Sequence, residues 1–337
     1  MQSKAFLRLA WVALALTFVV VVLGAYVRLS NAGLGCPDWP GCYGHLDVPD
    51  GAEQITAANA VYPHRPVEPD KAWKEMVHRY FAGSLGLLIL ALAILAWRKR
   101  REPDQPVVLP LILLGLIVFQ ALLGKWTVTW QLKPVVVMAH LLGGMTTLGL
   151  LAWLVLRQGR YGIRTPLLID HGRALRGFAL LGLLLVVAQI ALGGWTSANY
   201  AALSCPDFPT CQGYWWPPME FREAFTLWRG LGVSYEGGVL GNDARVTIHM
   251  MHRLGALVVL CYLGGLLWRL LVSTPSQSVR LVSLAIVVLL CIQLSLGIAN
   301  VLMRLPLPVA VAHNGGAALL LLSLVMLNHV LRPKPVL

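Results

Sequence analysis

Four histidines stand inside long apolar stretches of this chain: His78, His140, His252 and His313. Ionisable residues are costly in such surroundings and mark functional positions. They form two pairs, 62 residues apart in the first case and 61 in the second. A lone histidine of this kind is usually an interhelical hydrogen-bonder. Two equivalent pairs suit a different chemistry, because imidazoles from two helices of a four-helix bundle can supply both axial ligands of a haem iron. Zinc would need a third and fourth ligand nearby, and the sequence offers no such cluster. Small residues follow each histidine, at Gly83, Gly143, Gly144, Gly255, Gly315 and Gly316. They leave room for a flat ring or a close helix neighbour. His249 lies one turn before His252, but the pairing selects His252. Arg79 and Arg253 directly follow two of the histidines. They are candidates for haem propionates, since the guanidinium fork matches a carboxylate. Snorkelling to lipid head groups is the alternative.

One position breaks the symmetry between the pairs. Glu75 stands three residues before His78, where the other pair has His249. A carboxylate one turn from a haem ligand can move protons or hold water. The plainer reading is a helix-stabilising pair with Arg79 in the favourable i,i+4 order. On the first reading the first half is reactive and the second holds a resident haem. Cysteines also come in pairs, Cys36 with Cys42 and Cys205 with Cys211. The C-x5-C spacing fits neither a zinc knuckle nor C-x-x-C redox chemistry. Two short structural disulfides are expected, with a thiol–disulfide relay as the sharper alternative. Cys261 and Cys291 sit in apolar runs and read as inert core residues.

The elements that position these residues are membrane spans. Of 337 residues, 57% are hydrophobic and 12% charged, about half the charge of a soluble domain. Eight runs reach the ~20 residues a span needs: about 9–28, 77–97, 107–126, 134–156, 176–195, 247–268, 281–303 and 307–331. The first is longer than a signal-peptide core and is read as a retained helix. If the even-numbered spans start near residues 71, 133, 245 and 307, each histidine lies roughly 10 Å deep. The expected fold is therefore all-α and integral to the membrane. The clusters Arg98–Arg101, Arg157–Arg176 and the Arg332–Lys334 tail mark one face, which carries 15 basic and 3 acidic residues. By the positive-inside rule that face and both termini are cytoplasmic. The net charge of +12 thus reads as topology and contact with anionic lipid, and not as nucleic-acid binding.

The chain also repeats itself. Cys36-Pro37-Asp38-Trp39-Pro40-Gly41-Cys42 returns as Cys205-Pro206-Asp207-Phe208-Pro209-Thr210-Cys211 at an offset of 169. His78-Arg79 returns as His252-Arg253 (offset 174), Gln120 to Gly124 as Gln293 to Gly297 (173), and His140 as His313 (173). Gln189 to Gly193 carries the same Gln-x-x-Leu-Gly pattern, read as helix packing with an interhelical amide bond. Four landmarks in one order imply two parallel four-helix bundles, residues 1–160 and 161–337, related by a pseudo-twofold axis along the membrane normal. The first would hold substrate and chemistry, the second a resident haem.

With these residues in view, the chain resembles the haem A synthase family from span one to span eight. The resemblance rests on Gly24-Ala25-Tyr26-Val27-Arg28-Leu29-Ser30, on Gly33-Leu34-Gly35-Cys36-Pro37-Asp38-Trp39-Pro40, on Glu75-x-x-His78-Arg79 and on the four histidines. It implies oxidation of a ring methyl of haem O to a formyl group by successive hydroxylation, with water as oxygen source. It implies that His78 and His140 hold the substrate haem, that Glu75 assists its oxidation, and that His252 and His313 bind haem b. Some family members lack the first cysteine pair, which argues against an obligatory thiol mechanism. The implied setting is cytochrome oxidase assembly in a bacterial inner membrane. Expected partners are haem O, the enzyme that makes it, membrane lipid and an electron acceptor the sequence does not name, with a homo-oligomer as an option. The rivals are a dihaem b-type electron-transfer cytochrome and a non-enzymatic haem carrier.

Overall fold

Each long helix starts where a polar loop gives way to an unbroken apolar run, and proline marks three of the starts. Proline is at home there because its missing N–H would have had no partner in the first turn. A computed structural model describes residues 4–159, 169–274 and 276–332, the side chains of 169–174 excepted. Its long helices are α1 (Lys4–Leu29), α3 (Pro69–Arg98), α4 (Val108–Thr129), α5 (Pro134–Gln158), α6 (Ile169–Ala198), α8 (Asn242–Ser273), α9 (Gln277–Leu302) and α10 (Leu307–Val330). All eight are long and apolar enough to cross a membrane, and the chain is a multi-pass membrane protein. Two short helices sit in the cysteine-bearing loops, α2 (Ala52–Val61) and α7 (Phe221–Ala224). The apolar-run reading had missed both, because neither has a membrane-length signal.

Two helix starts differ from expectation. α3 and α8 begin nine and ten residues before their histidines, whereas α5 and α10 begin six before theirs. The extra turns carry Asp70, Lys71 and Lys74 in α3, and Asp243 and Arg245 in α8. These polar turns extend the helices beyond the apolar run toward the loops.

Packing arranges the helices as two rings. In the first, α1 touches α3, α3 touches α4, α4 touches α5, and α5 closes on α1. In the second the order is α6, α8, α9, α10 and back to α6. The rings meet through α1 with α10, α5 with α6, and α5 with α10. A pseudo-twofold axis passing between α5 and α10 would generate this set of contacts. The expected boundary at 160–161 lies outside the described residues. Leucine and alanine side chains fill each ring beyond the histidines, toward the end away from the cysteine loops. Leu85, Ile89, Leu92, Leu113 and Leu151 do so in the first ring, and Leu263, Ile286, Leu320 and Leu324 in the second. Cys261 and Cys291 are exposed on their helices, so the core placement expected for them is corrected. They face outward because the second ring's core is closed by leucines on the opposite sides of α8 and α9.

The second cysteine-bearing loop crosses onto the first ring. Lys133, at the turn before α5, is 1% exposed. Its ammonium donates to the Gly230 carbonyl and lies 3.0 Å from the centre of the Trp228 ring. Nearby, the Tyr235 N–H donates to the Gln131 carbonyl at 3.1 Å, and Arg65 pairs with Glu236 at 2.9 Å. Leu34, Val128, Leu132 and Tyr235 form the apolar patch beneath. A buried ammonium on an aromatic face is worth about 2 kcal/mol, and a charge-assisted hydrogen bond adds a comparable amount. Lys133→Met, which keeps the apolar stem, should therefore destabilise the protein by ~1–3 kcal/mol. The readouts are a lower thermal midpoint in detergent and faster protease cleavage between residues 225 and 241. A variant unchanged in both would show that the loop is held by its other contacts.

Candidate functional site

The histidines stand on diagonal members of each ring, His78 on α3 facing the ring that also holds His140 on α5, and His252 on α8 with His313 on α10. Diagonal helices do not pack on each other, so the space between them is the bundle interior. The second pair has ring centroids 6.5 Å apart with planes at 80°. Two imidazoles sharing one metal at about 2 Å each have their ring centres roughly 6 Å apart, so this spacing fits an iron between them. All four histidines are only partly buried. Yet Nδ1 of His78, His140 and His313 is shut off from solvent without a partner. Buried polar atoms are nearly always satisfied, and unpaired ring nitrogens around an interior gap are what a missing metal group would leave.

Each imidazole rests against a glycine of a neighbouring helix. A Cβ on Gly24 would come within 3.1 Å of His78, one on Gly124 within 3.5 Å of His140, one on Gly193 within 3.1 Å of His252, and one on Gly297 within 3.2 Å of His313. Sequence reasoning assigned that task to the glycines following the histidines instead. Gly143, Gly255 and Gly316 take up something else: a Cβ on them would collide with the side chains of Gln120, Gln189 and Gln293. The signal was present. Leu-Gly ends the same five-residue segment in all four odd-numbered spans, at Gly24, Gly124, Gly193 and Gly297.

The cysteine loops are bound to the turns that precede His78 and His252. Disulfides close Cys36–Cys42 and Cys205–Cys211, with Cα atoms 4.8 and 4.6 Å apart, and all four cysteines are buried. Glu75, 5% exposed, accepts the Cys36 N–H at 3.0 Å and pairs with Arg79 at 2.5 Å. His249 occupies the equivalent place and accepts the Cys205 N–H on Nδ1 at 3.3 Å. That bond gives His249 a role other than ligation. Arg79 donates to the carbonyls of Asp38, Pro40 and Gly41. Arg253 donates to those of Thr210, Cys205 and Asp207 at 2.8, 3.1 and 2.8 Å. Most guanidinium donors are thus spent on the loops, while Nε of Arg253 is buried and unpartnered.

A family model described as "Cytochrome oxidase assembly protein", COX15-CtaA, matches residues 7–325. The chain belongs to the COX15-CtaA family. A protein named "Heme A synthase" from Shewanella oneidensis is 48% identical over 332 residues, covering 97% of this chain and 98% of its relative. Proteins of the same name from Halalkalibacterium halodurans and Allorhizobium ampelinum are each 27% identical. They cover 88% and 95% of this chain, and 86% and 89% of their own.

In this COX15-CtaA chain the aspartate of each cysteine loop organises its turn. Asp38 accepts the N–H groups of Tyr43 and Gly44, both at 2.7 Å. Asp207 accepts those of Gln212 and Gly213 and the Thr210 hydroxyl. The Thr210 hydroxyl above all, with the two N–H groups, holds the Asp207 carboxyl down to about 2 against the opposing effect of burial. Its unfolded value is about 4. A depressed acid stabilises the fold above the unfolded value and loses that contribution as pH falls through the folded one. The loop should therefore keep its structure from neutral pH to about 4 and loosen toward pH 2. Exposed Trp215 and Trp216 report this through their fluorescence. The same acid transition in Asp207→Asn would assign it to another group.

Proposed function

We propose that this chain converts haem O to haem A, oxidising a ring methyl to a formyl group by successive hydroxylation. The observation that carries the reading is near-full-length similarity to a protein named "Heme A synthase" at 48% identity. Two histidine pairs on facing helices of the membrane bundle support it. Each hydroxylation takes two electrons and one proton from the methyl group, and the water that supplies the hydroxyl oxygen releases the second proton. Loss of water after the second gives the aldehyde. The electrons leave to an acceptor that the protein must dock.

The two halves, 1–160 and 161–337, divide the work. His78 and His140 hold the substrate haem. His252 and His313 hold a resident haem b, which supplies a one-electron relay when bound. Glu75 is the candidate base. Of the two residues in this place it is the carboxylate, and Arg79 with the Cys36 N–H holds it beside the first ligand. Propionates fall to the guanidinium donors of Arg79 and Arg253 that the loops leave, Nε of Arg253 foremost. The setting is a bacterial inner membrane with both termini cytoplasmic. The enzyme that makes haem O and membrane lipid are the further partners.

Haem extracted from purified protein tests the reading. Haem O or A beside haem b is expected, and haem b alone would favour a b-type electron carrier. Replacing His252 or His313 with Ala should lower or shift the haem b absorbance. Glu75→Ala should cost ~10²–10⁴ in haem A formation if the carboxylate is a general base. Glu75→Gln separates the roles, since its amide oxygen can still accept the Cys36 N–H. An anchoring role predicts normal haem A from Glu75→Gln, and a catalytic role predicts loss in both variants.

A further inference from the structure

The two rings differ in how their ligand turns are fastened. In the second ring Gln189, on α6, donates to the backbone carbonyl of His252 at 2.9 Å and reaches its Nδ1 at 3.1 Å. Gln293, on α9, donates to the carbonyl of His313 at 3.0 Å and lies 3.4 Å from its ring. Each amide enters a notch that only glycine leaves open, at Gly255 and Gly316. The backbone turn carrying each ligand is thereby pinned to the neighbouring helix.

The first ring has the notches and glutamines only in part. Gln120 occupies the notch at Gly143, but its amide nitrogen is buried without a partner. On the α1–α3 side the repeat offsets of 169 and 174 put Val20 where Gln189 stands and Phe81 where Gly255 stands. There is neither an amide nor a notch there.

We propose that these amide pins determine which ring keeps its haem. Pinned at both ligands, the second ring holds a haem as a resident. Without an amide or a notch on its α1–α3 side, the first ring lets α3 move against α1, so that His78 can leave and regain the iron as substrate enters and product departs. Gln189 and Gln293 are positioning residues for the ligands, and Val20 with Phe81 make the first site exchangeable. The inference rests on the reading of two haem sites given above and adds the physical basis of their different tasks.

The test measures haem release from the purified, haem-loaded protein to excess apomyoglobin, followed by absorbance. Gln189→Met and Gln293→Met keep side-chain length and remove the donor. An interhelical polar bond in a membrane contributes enough to slow release about 3- to 30-fold, so each variant should release haem b that much faster. Haem b release at the wild-type rate in both would overturn the proposal. If one variant fails to fold, the other reads an independent helix pair. In the converse experiment Val20→Gln with Phe81→Gly should slow release from the first site by a similar factor, and an unchanged rate there would leave exchange unexplained by pinning. The eluted haem is identified in the same run. Wild-type protein with no haem O or A would sink the functional reading while leaving the rates to decide the pinning.

Discussion

Four imidazoles inside an apolar bundle set the terms for everything around them. A polar ring nitrogen removed from water without a partner costs several kcal/mol. Three Nδ1 atoms are nevertheless left that way, at His78, His140 and His313. The diagonal placement of the ligand helices explains how this is tolerated. Neighbouring helices in a ring pack on each other, and the diagonal ones do not pack closely, which leaves an interior gap beside the imidazoles. The leucine cores lie to one side of this gap and the cysteine loops to the other. The glycines opposite the imidazoles follow from the same demand, since a side chain there would push each ring off its line.

The loops solve a second problem. A ligand near a helix start is only as fixed as the turns before it. In each half a disulfide-closed loop is tied to those turns twice. One tie runs from the first cysteine's N–H to the residue three before the ligand, and the other from the arginine after the ligand to the loop carbonyls. Glu75 and His249 perform this task alike. Glu75 adds to that duty an ion pair with Arg79. If that difference is chemical, it is confined to the half whose ligand turns carry no amide pin. On this reading catalysis and exchange belong to one ring, and retention to the other.

Much of this was legible in the residues. Eight apolar runs gave the eight long helices, because membrane length is encoded locally. The cysteine pairing was legible for the same reason, with five residues between partners. What escaped was non-local or partial. The Leu-Gly segments recur in four spans, but only three carry the glutamine, and their target, the turn bearing the next ligand, lies 20 to 63 residues away. The i,i+4 pair of Arg79 with Glu75 was legible from spacing and is present, but the carbonyls to which Arg79 and Arg253 also donate are announced by no pattern. Lys133 meets Gly230 across 97 residues. The outward turn of Cys261 and Cys291 depends on helix rotation, which an apolar run on all sides does not specify.

The parallel duplication also brings the two histidine pairs to one end of the molecule. Both pairs lie toward the cysteine-loop end, and the rings share the α1, α5, α6 and α10 interface. At that end Arg28 crosses between halves. Its guanidinium donates to the Ser197 carbonyl at 2.5 Å and covers the Tyr200 ring at 4.2 Å. Ser197 is the repeat counterpart of Arg28 itself at the 169-residue offset. The acceptor is a main-chain carbonyl, so the bridge depends on the arginine and not on the serine side chain opposite it. The bond joins the two halves one turn from Gly24 and Gly193, which face His78 and His252.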